Sequence, residues 1–403
     1  MTKDRAPLSQ TELVALMAML SATIAFSIDA MLPTLPDIGA ALSPVDPNRA
    51  QLVIGAFILG MGLGTFFTGP LSDAFGRKTI AVWGAVIYTL AALAGAWAQD
   101  LEFLLIARFI QGIGAAGPRV AAMAIVRDLF SGRRMAQILS YIIFVFTLAP
   151  ILAPSLGWAI AWAFGWRAIF YSFAVFSVVS MAWLILRQPE TLRPENVRPF
   201  RLGKLVSGTR EVLSNRRVVK ATIVLTLIFS ILFSALLSSQ PVFEQVLGAG
   251  DTFPLWFGLM GLLAAFANLI NARVVLRFGM RAVVQTALLV QGIFTALFLL
   301  LQLTGLLPDA LVFPLTFLWL TANFYLAGFG IGNMNALALE PMGHMAGLAA
   351  SIVTALATIG SAILSAPIGQ AFNGTTVPLT VGVLVLAAVA WWLVGKIEDV
   401  EPA

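Results

Sequence analysis

Residues 69–78 read GPLSDAFGRK, a polar and charged decapeptide set between two apolar runs, QLVIGAFILGMGLGTFF before it and TIAVWGAVIYTLAALAGAWA after it. Those runs have the length of membrane-crossing helices, whereas a transmembrane barrel would show alternating segments of roughly 10 residues. The rest of the chain agrees. Only 11% of the 403 residues are charged, 60% are hydrophobic, and mean hydropathy is +0.94. So few polar side chains do not cover the surface of a water-soluble globule. With no cysteine and one histidine, His344, disulfides and thiolate or histidine metal clusters are excluded, and the expectation is no metal.

Apolar spans are expected near 11–32, 51–71, 79–98, 103–126, 136–162, 168–186, 219–240, 254–275, 282–304, 311–337, 346–370 and 376–395, twelve in all. Lys3 and Arg5 ahead of an apolar stretch resemble the start of a secretory signal, but Glu12 and Asp29 do not suit one, and its removal would spoil the even helix count. Cytoplasmic loops retain Lys and Arg. Placing both termini inside leaves only Arg49 and Arg167 in outer loops, with Arg108 and Arg119 inside a helix and the other 20 of the 24 basic residues cytoplasmic. The basic pI of 9.9 is therefore a topology signal, and no nucleic-acid partner is expected.

One long polar connection, RQPETLRPENVRPFRLGKLVSGTREVLSNRRVVK, divides the chain. The expected organisation is a six-helix half over 1–186, a cytoplasmic linker over 187–218 and a second six-helix half over 219–403. AFGRK after the second span and RFGMR after the eighth occupy the same place in each half. Paired halves of this kind are a transporter architecture, with the substrate path between them.

The opening stretch resembles the loop signature that the major facilitator superfamily carries between its second and third helices, with Gly69, Leu71, Asp73, Gly76, Arg77 and Lys78 matching. RFIQGIGAA, with Arg108, Gln111, Gly112 and Gly114, resembles a second signature in helix 4. APILAPSLGW, with Pro150, Pro154 and Gly157, resembles the helix 5 signature of drug/proton antiporters, although Ala149 and Ala153 stand where glycines are often found. SIDAMLPTLPDI, GWRAIFYSFAV and PETL are similar to the bicyclomycin and chloramphenicol resistance exporters. The resemblance spans the first half. It implies an all-α polytopic membrane protein of twelve helices in two pseudo-symmetric halves, driven by the proton gradient with no cofactor. It also implies a conformational latch at Gly69, Asp73, Gly76, Arg77 and Lys78. Gly76 permits a tight turn, and Asp73 is expected to pair across the interface between halves.

Without the family, the same residues still point inward. An arginine in a membrane helix costs on the order of 3 kcal/mol. Arg119 follows Arg108 by 11 residues, which returns it to within roughly 20° of the same face and some 16 Å deeper. Both either face one cavity or snorkel to opposite surfaces. Asp29 is the one acid well inside a span, at a depth similar to that of Arg108. It is either a proton carrier coupled to Arg108 or a wetted helix-end group. Pro150 and Pro154 are expected to bend helix 5, and Gly60, Gly62 and Gly64 to allow close packing.

These readings favour a proton-coupled drug or antibiotic exporter of the inner (cytoplasmic) membrane, working as a monomer in the lipid bilayer. The alternative is an importer or facilitator of a small metabolite in the same fold. A membrane enzyme lacks the inventory of nucleophiles and bases. Two arginines against one buried acid predict neutral or weakly acidic substrates of amphenicol or bicyclomycin type, since an unpaired cation in low dielectric is expensive.

Overall fold

The computed structural model describes residues 8–398; Lys3 and Arg5 of the positive-inside argument lie outside the described residues. The chain is helical, with no strand among the described residues. Among the described residues, twelve helices of 18 or more residues carry the architecture. In the first half these are α1 (Gln10–Asp29), α3 (Leu52–Phe75), α4 (Arg77–Ala96), α5 (Leu101–Leu129), α6 (Gly132–Phe164) and α7 (Arg167–Arg187). In the second they are α9 (Arg216–Pro241), α10 (Phe253–Phe278), α11 (Met280–Thr304), α12 (Asp309–Leu339), α13 (Ala346–Gln370) and α14 (Val377–Val394). Two shorter helices, α2 (Leu35–Leu42) and α8 (Leu202–Ser214), lie in connections that the hydropathy pattern left unassigned.

Local chemistry explains the helix ends. Ser9 caps α1 by accepting from Glu12 N at 3.1 Å, and Asp100 caps α5 by accepting from Phe103 N at 2.8 Å. α1 stops at Asp29 because the ring of Pro33 would meet the carbonyl four residues earlier. The repeated FG turns have one physical basis. Gly76 and Gly279 sit at φ +102° and +80°, the region that side-chain-bearing residues avoid, and each starts the next helix at once. α6 runs as one helix through Pro150 and Pro154.

The chain forms two compact units, one made of the described residues up to Thr34 with Ala56–Leu202, the other of Leu35–Gly55 and the described residues from Gly203 onward. In the first, α4 packs against α5 and α7, and α1 against α5, α6 and α7. Leu13 and Met17 of α1 meet Ala122 and Ile125 of α5, Ile142 of α6 and Leu184 of α7 in one buried cluster. In the second, α9 packs against α12, α13 and α14. Leu35–Gly55 is held to that unit through Asn48, whose side-chain amide donates to Phe372 O at 2.7 Å. Large apolar side chains such as Trp83, Leu90, Val175, Leu255 and Leu276 remain exposed on the outer helices, as lipid-facing surfaces do.

Candidate functional site

Two constellations in the first unit bring together residues singled out in the sequence. The first is a buried polar centre between α1, α4 and α5. Arg108 is fully buried. Its guanidinium donates through Nη1 to Gln111 Oε1 at 2.8 Å and through Nη2 to Ser27 O at 2.9 Å. The same group lies 4.5 Å from the Phe57 ring centroid and 5.9 Å from that of Phe173, so aromatic faces take part of the role of solvent. Ser27 Oγ donates to Thr23 O at 2.6 Å. Its single proton is thereby used, and the Tyr88 hydroxyl, 2.5 Å away, donates to Ser27 Oγ.

Arg108 reaches this depth because α5 has no bulk beside it. Gly112 faces α3 so closely that an added Cβ would lie 2.1 Å from Phe57 O, and Gly60 of α3 would place one 1.9 Å from Phe109 O. On α6, a Cβ at Gly157 would lie 2.0 Å from Ala30 O, just past the end of α1. The glycines of the two helix signatures are therefore backbone contacts around the polar centre.

Asp29 closes α1 two residues beyond Ser27 and is 5% exposed. Arg108 sends two of its donors to Ser27 and Gln111; the carboxylate of Asp29 has no hydrogen-bond or ion-pair partner among the described residues. The sequence placed Asp29 and Arg108 at one depth; among the described residues they do not pair, and Arg108 holds α1 two residues before Asp29, at Ser27 O. Arg119, in the same helix as Arg108 and half-buried, likewise has no hydrogen-bond or ion-pair partner among the described residues.

The second constellation is the decapeptide loop. Gly69 lies in the last turns of α3 beside Pro70. Asp73 pairs with Arg77 one helical turn on, within its own unit, in place of the expected partner across the halves. The i, i+4 spacing makes this the nearest cation. Arg77 also donates through Nε to Asp128 Oδ2 at 3.1 Å and through Nη1 to Ser72 Oγ at 3.2 Å. Lys78 Nζ donates to Ile185 O and Gln188 O, both at 2.8 Å, and so holds the last carbonyls of α7.

Sequence reasoning missed the residue that completes this loop. Glu190 of the PETL stretch accepts from Arg77 N and Lys78 N, each at 3.0 Å, and thus fills the N-terminus that Gly76 leaves without a side-chain cap. It also explains the glycine, since a Cβ at Gly76 would lie 2.5 Å from Glu190 Oε2. Glu190→Ala is expected to cost about 1–2 kcal/mol, the range for a lost N-cap, measured as a lowered melting temperature of the purified protein; an unchanged melting temperature would show the cap to be replaced by water. Glu12 was likewise passed over. It accepts from Arg187 at 2.7 and 2.9 Å and from Trp183 Nε1 at 3.3 Å, and so ties the start of α1 to the end of α7.

Neither constellation has the parts of covalent catalysis, and no group of three or more potential ligand side chains capable of holding a metal occurs among the described residues. Fixed charge between helices suits binding and conformational change.

Comparison with known proteins places these features. The family model described as Major Facilitator Superfamily matches residues 14–365. A bicyclomycin resistance protein homolog of Haemophilus influenzae is 29% identical over 372 residues, 90% of this chain and 91% of that protein. The multidrug resistance protein MdtL of Shewanella oneidensis is 29% identical over 369 residues, 89% of each chain. Among solved structures, a D-xylose-proton symporter superimposes with a TM-score of 0.73 at 15% identity, over 94% of this chain and 97% of the other. The human organic anion transporter MFSD10 gives 0.68 at 18% identity, over 96% of this chain and 100% of the other. At those identities the structures speak for the fold.

Proposed function

The chain belongs to the major facilitator superfamily and is a multi-pass membrane transporter rather than an enzyme, and from that premise we propose that it exports drug-like small molecules by alternating access, driven by protons. The observation that carries export of drugs is the likeness, along about nine-tenths of the chain, to a bicyclomycin resistance homolog and to MdtL multidrug resistance proteins. The observation that supports proton coupling is Asp29, a buried acid without a partner among the described residues at the end of α1. Such a group gains or loses its charge as its surroundings wet and dry. Its helix carries the Ser27 carbonyl that Arg108 holds, so a change at Asp29 reaches α5 through two residues. Arg77, Asp73, Lys78 and Glu190 are the loop elements whose rearrangement would accompany the switch.

Arg108 and Arg119 against the single acid Asp29 favour neutral or weakly acidic cargo, of amphenicol or bicyclomycin type. The protein acts in the inner membrane with both termini cytoplasmic, as a monomer. The test is export in inverted membrane vesicles under an imposed proton gradient, comparing a neutral amphenicol with a quaternary ammonium dye. Uptake of the amphenicol and not the dye is expected, and robust dye transport overturns the substrate assignment. In the same vesicles Asp29→Asn is expected to abolish gradient-driven accumulation while substrate binding persists. Uphill transport by this variant would place the proton elsewhere.

A further inference from the structure

The two halves begin alike and then differ. In the first, α4 follows the FGRK turn and meets α5 backbone to backbone: added Cβ atoms at Gly84, Gly114 and Gly117 would lie 2.7 Å from Gly114 O, 2.5 Å from Tyr88 N and 2.8 Å from Ile80 O. In the second, α11 follows the FGMR turn toward α12, but the one glycine in its middle, Gly292, has nothing within 4 Å of an added Cβ. Between α10, α11 and α12 a cavity of about 760 Å³ opens.

Its walls are almost wholly apolar. Ile270, Val274 and Phe278 of α10 lie at i, i+4 and i+8, so one stripe of that helix forms a side. Val290 and Leu318, both exposed, mark its inner end, near the buried amide of Gln291. On α10 the lining runs from Leu263 to Phe278, about 22 Å of helix, somewhat more than one leaflet of a roughly 30 Å hydrocarbon core. A water-filled apolar groove of this length facing lipid is unfavourable.

The charge at one mouth identifies what fills it. Arg273 and Arg277 precede Val274 and Phe278 by one residue each, so the two guanidinium groups share a face next to the groove. Both are exposed, and neither pairs with a carboxylate among the described residues. Arg281, by contrast, is engaged, donating to Gly395 O at 3.0 Å. In the proposed orientation this mouth lies in the cytoplasmic leaflet, where anionic headgroups concentrate.

We propose that this groove binds an anionic phospholipid, with an acyl chain between α10, α11 and α12 and the phosphate at Arg273 and Arg277. The assignment is independent of what the protein exports and needs no transport assay. Purified full-length protein, stripped of lipid, is offered phosphatidylglycerol and phosphatidylcholine with identical chains, and binding is read by native mass spectrometry. Phosphatidylglycerol is expected to be retained about 30-fold better, the scale set by two surface cations, and the preference to disappear in R273Q/R277Q. Ala287→Trp, which fills the groove, is expected to reduce retention of both lipids. In the unmodified protein, a phosphatidylglycerol carrying a diazirine near its acyl end is expected to label peptides of α10 to α12. Equal retention of the two lipids, or label spread over other helices, overturns the proposal. Binding of glycerol phosphate alone would show a bare anion site. Protection from labelling by chloramphenicol would make the groove a drug site; either result also overturns it.

Discussion

Arg108→Lys is expected to lower amphenicol export by about 10- to 100-fold while leaving the amount of protein in the membrane within about twofold of normal. Lysine keeps the charge but offers a compact ammonium in place of a planar fork. From α5 the guanidinium spans two acceptors on different helices, Gln111 Oε1 at 2.8 Å and Ser27 O at 2.9 Å, while stacking on Phe57. An ammonium has donors enough but lacks the rigid fork that aims one N–H at each acceptor, and it stacks less well on the ring. A lost hydrogen bond to a charged group costs about 1.5–3 kcal/mol, which sets the fold-change when the link between α1 and α5 is needed to pass a change at Asp29 along. The measurement is initial export rate in vesicles, normalised to folded protein by size-exclusion chromatography. A lysine variant with the normal rate would show that only the charge matters, and the two-acceptor geometry would then have no role in transport.

The second large effect concerns folding. Gly112→Val and Gly157→Val are each expected to destabilise the protein by more than about 3 kcal/mol, at the upper end of single substitutions, seen as a fall of about 4 °C or more in melting temperature or as loss of folded protein. The reason is positional. An added Cβ at these sites lies 2.1 Å from Phe57 O and 2.0 Å from Ala30 O, and both obstacles are helix backbone, which cannot turn aside as a side chain does. Gly292→Ala is the control. With nothing within 4 Å of its Cβ, it is expected to be neutral or to gain about 0.5–1 kcal/mol from helix propensity. If Gly112→Val melts like the unmodified protein, α3 and α5 do not cross as closely as described, and the polar centre around Arg108 would be open.

Much of the fold was legible because membrane insertion is decided locally. A run of about 20 apolar residues spans a bilayer whatever the rest of the chain does, and all twelve expected spans fall within about four residues of α1, α3–α7 and α9–α14. The first, set at 11–32, overshoots by three residues because Pro33 ends α1 at Asp29. The FG turns were legible for a similar reason, since a positive φ at Gly76 and Gly279 is a property of one residue and its neighbours. The short helices α2 and α8 were not, because eight and thirteen residues of mixed polarity carry no membrane-length signal.

The site divides along the same line. Arg108, Gln111, Asp29, Asp73 and Arg77 declared themselves by being polar or charged within apolar sequence, or by a spacing of four. Their partners did not. Ser27 and Arg108 are 81 residues apart, Ser27 and Tyr88 61, and Arg77 and Glu190 113. A buried tyrosine in an apolar run has the composition of lipid-facing bulk, and a glutamate in a polar linker that of solvated loop. The sequence by itself determined the twelve spans and the positions where charge enters the membrane, because burial of apolar surface and backbone strain act on each segment in turn. Only the tertiary structure decided that Asp73 turns to Arg77, that Glu190 caps α4, that Asp29 stands apart from Arg108, and that α11 borders a groove while α4 meets α5 backbone to backbone. Hydrogen bonds and close packing depend on which backbones approach within a few ångströms, and that is set by the whole unit at once.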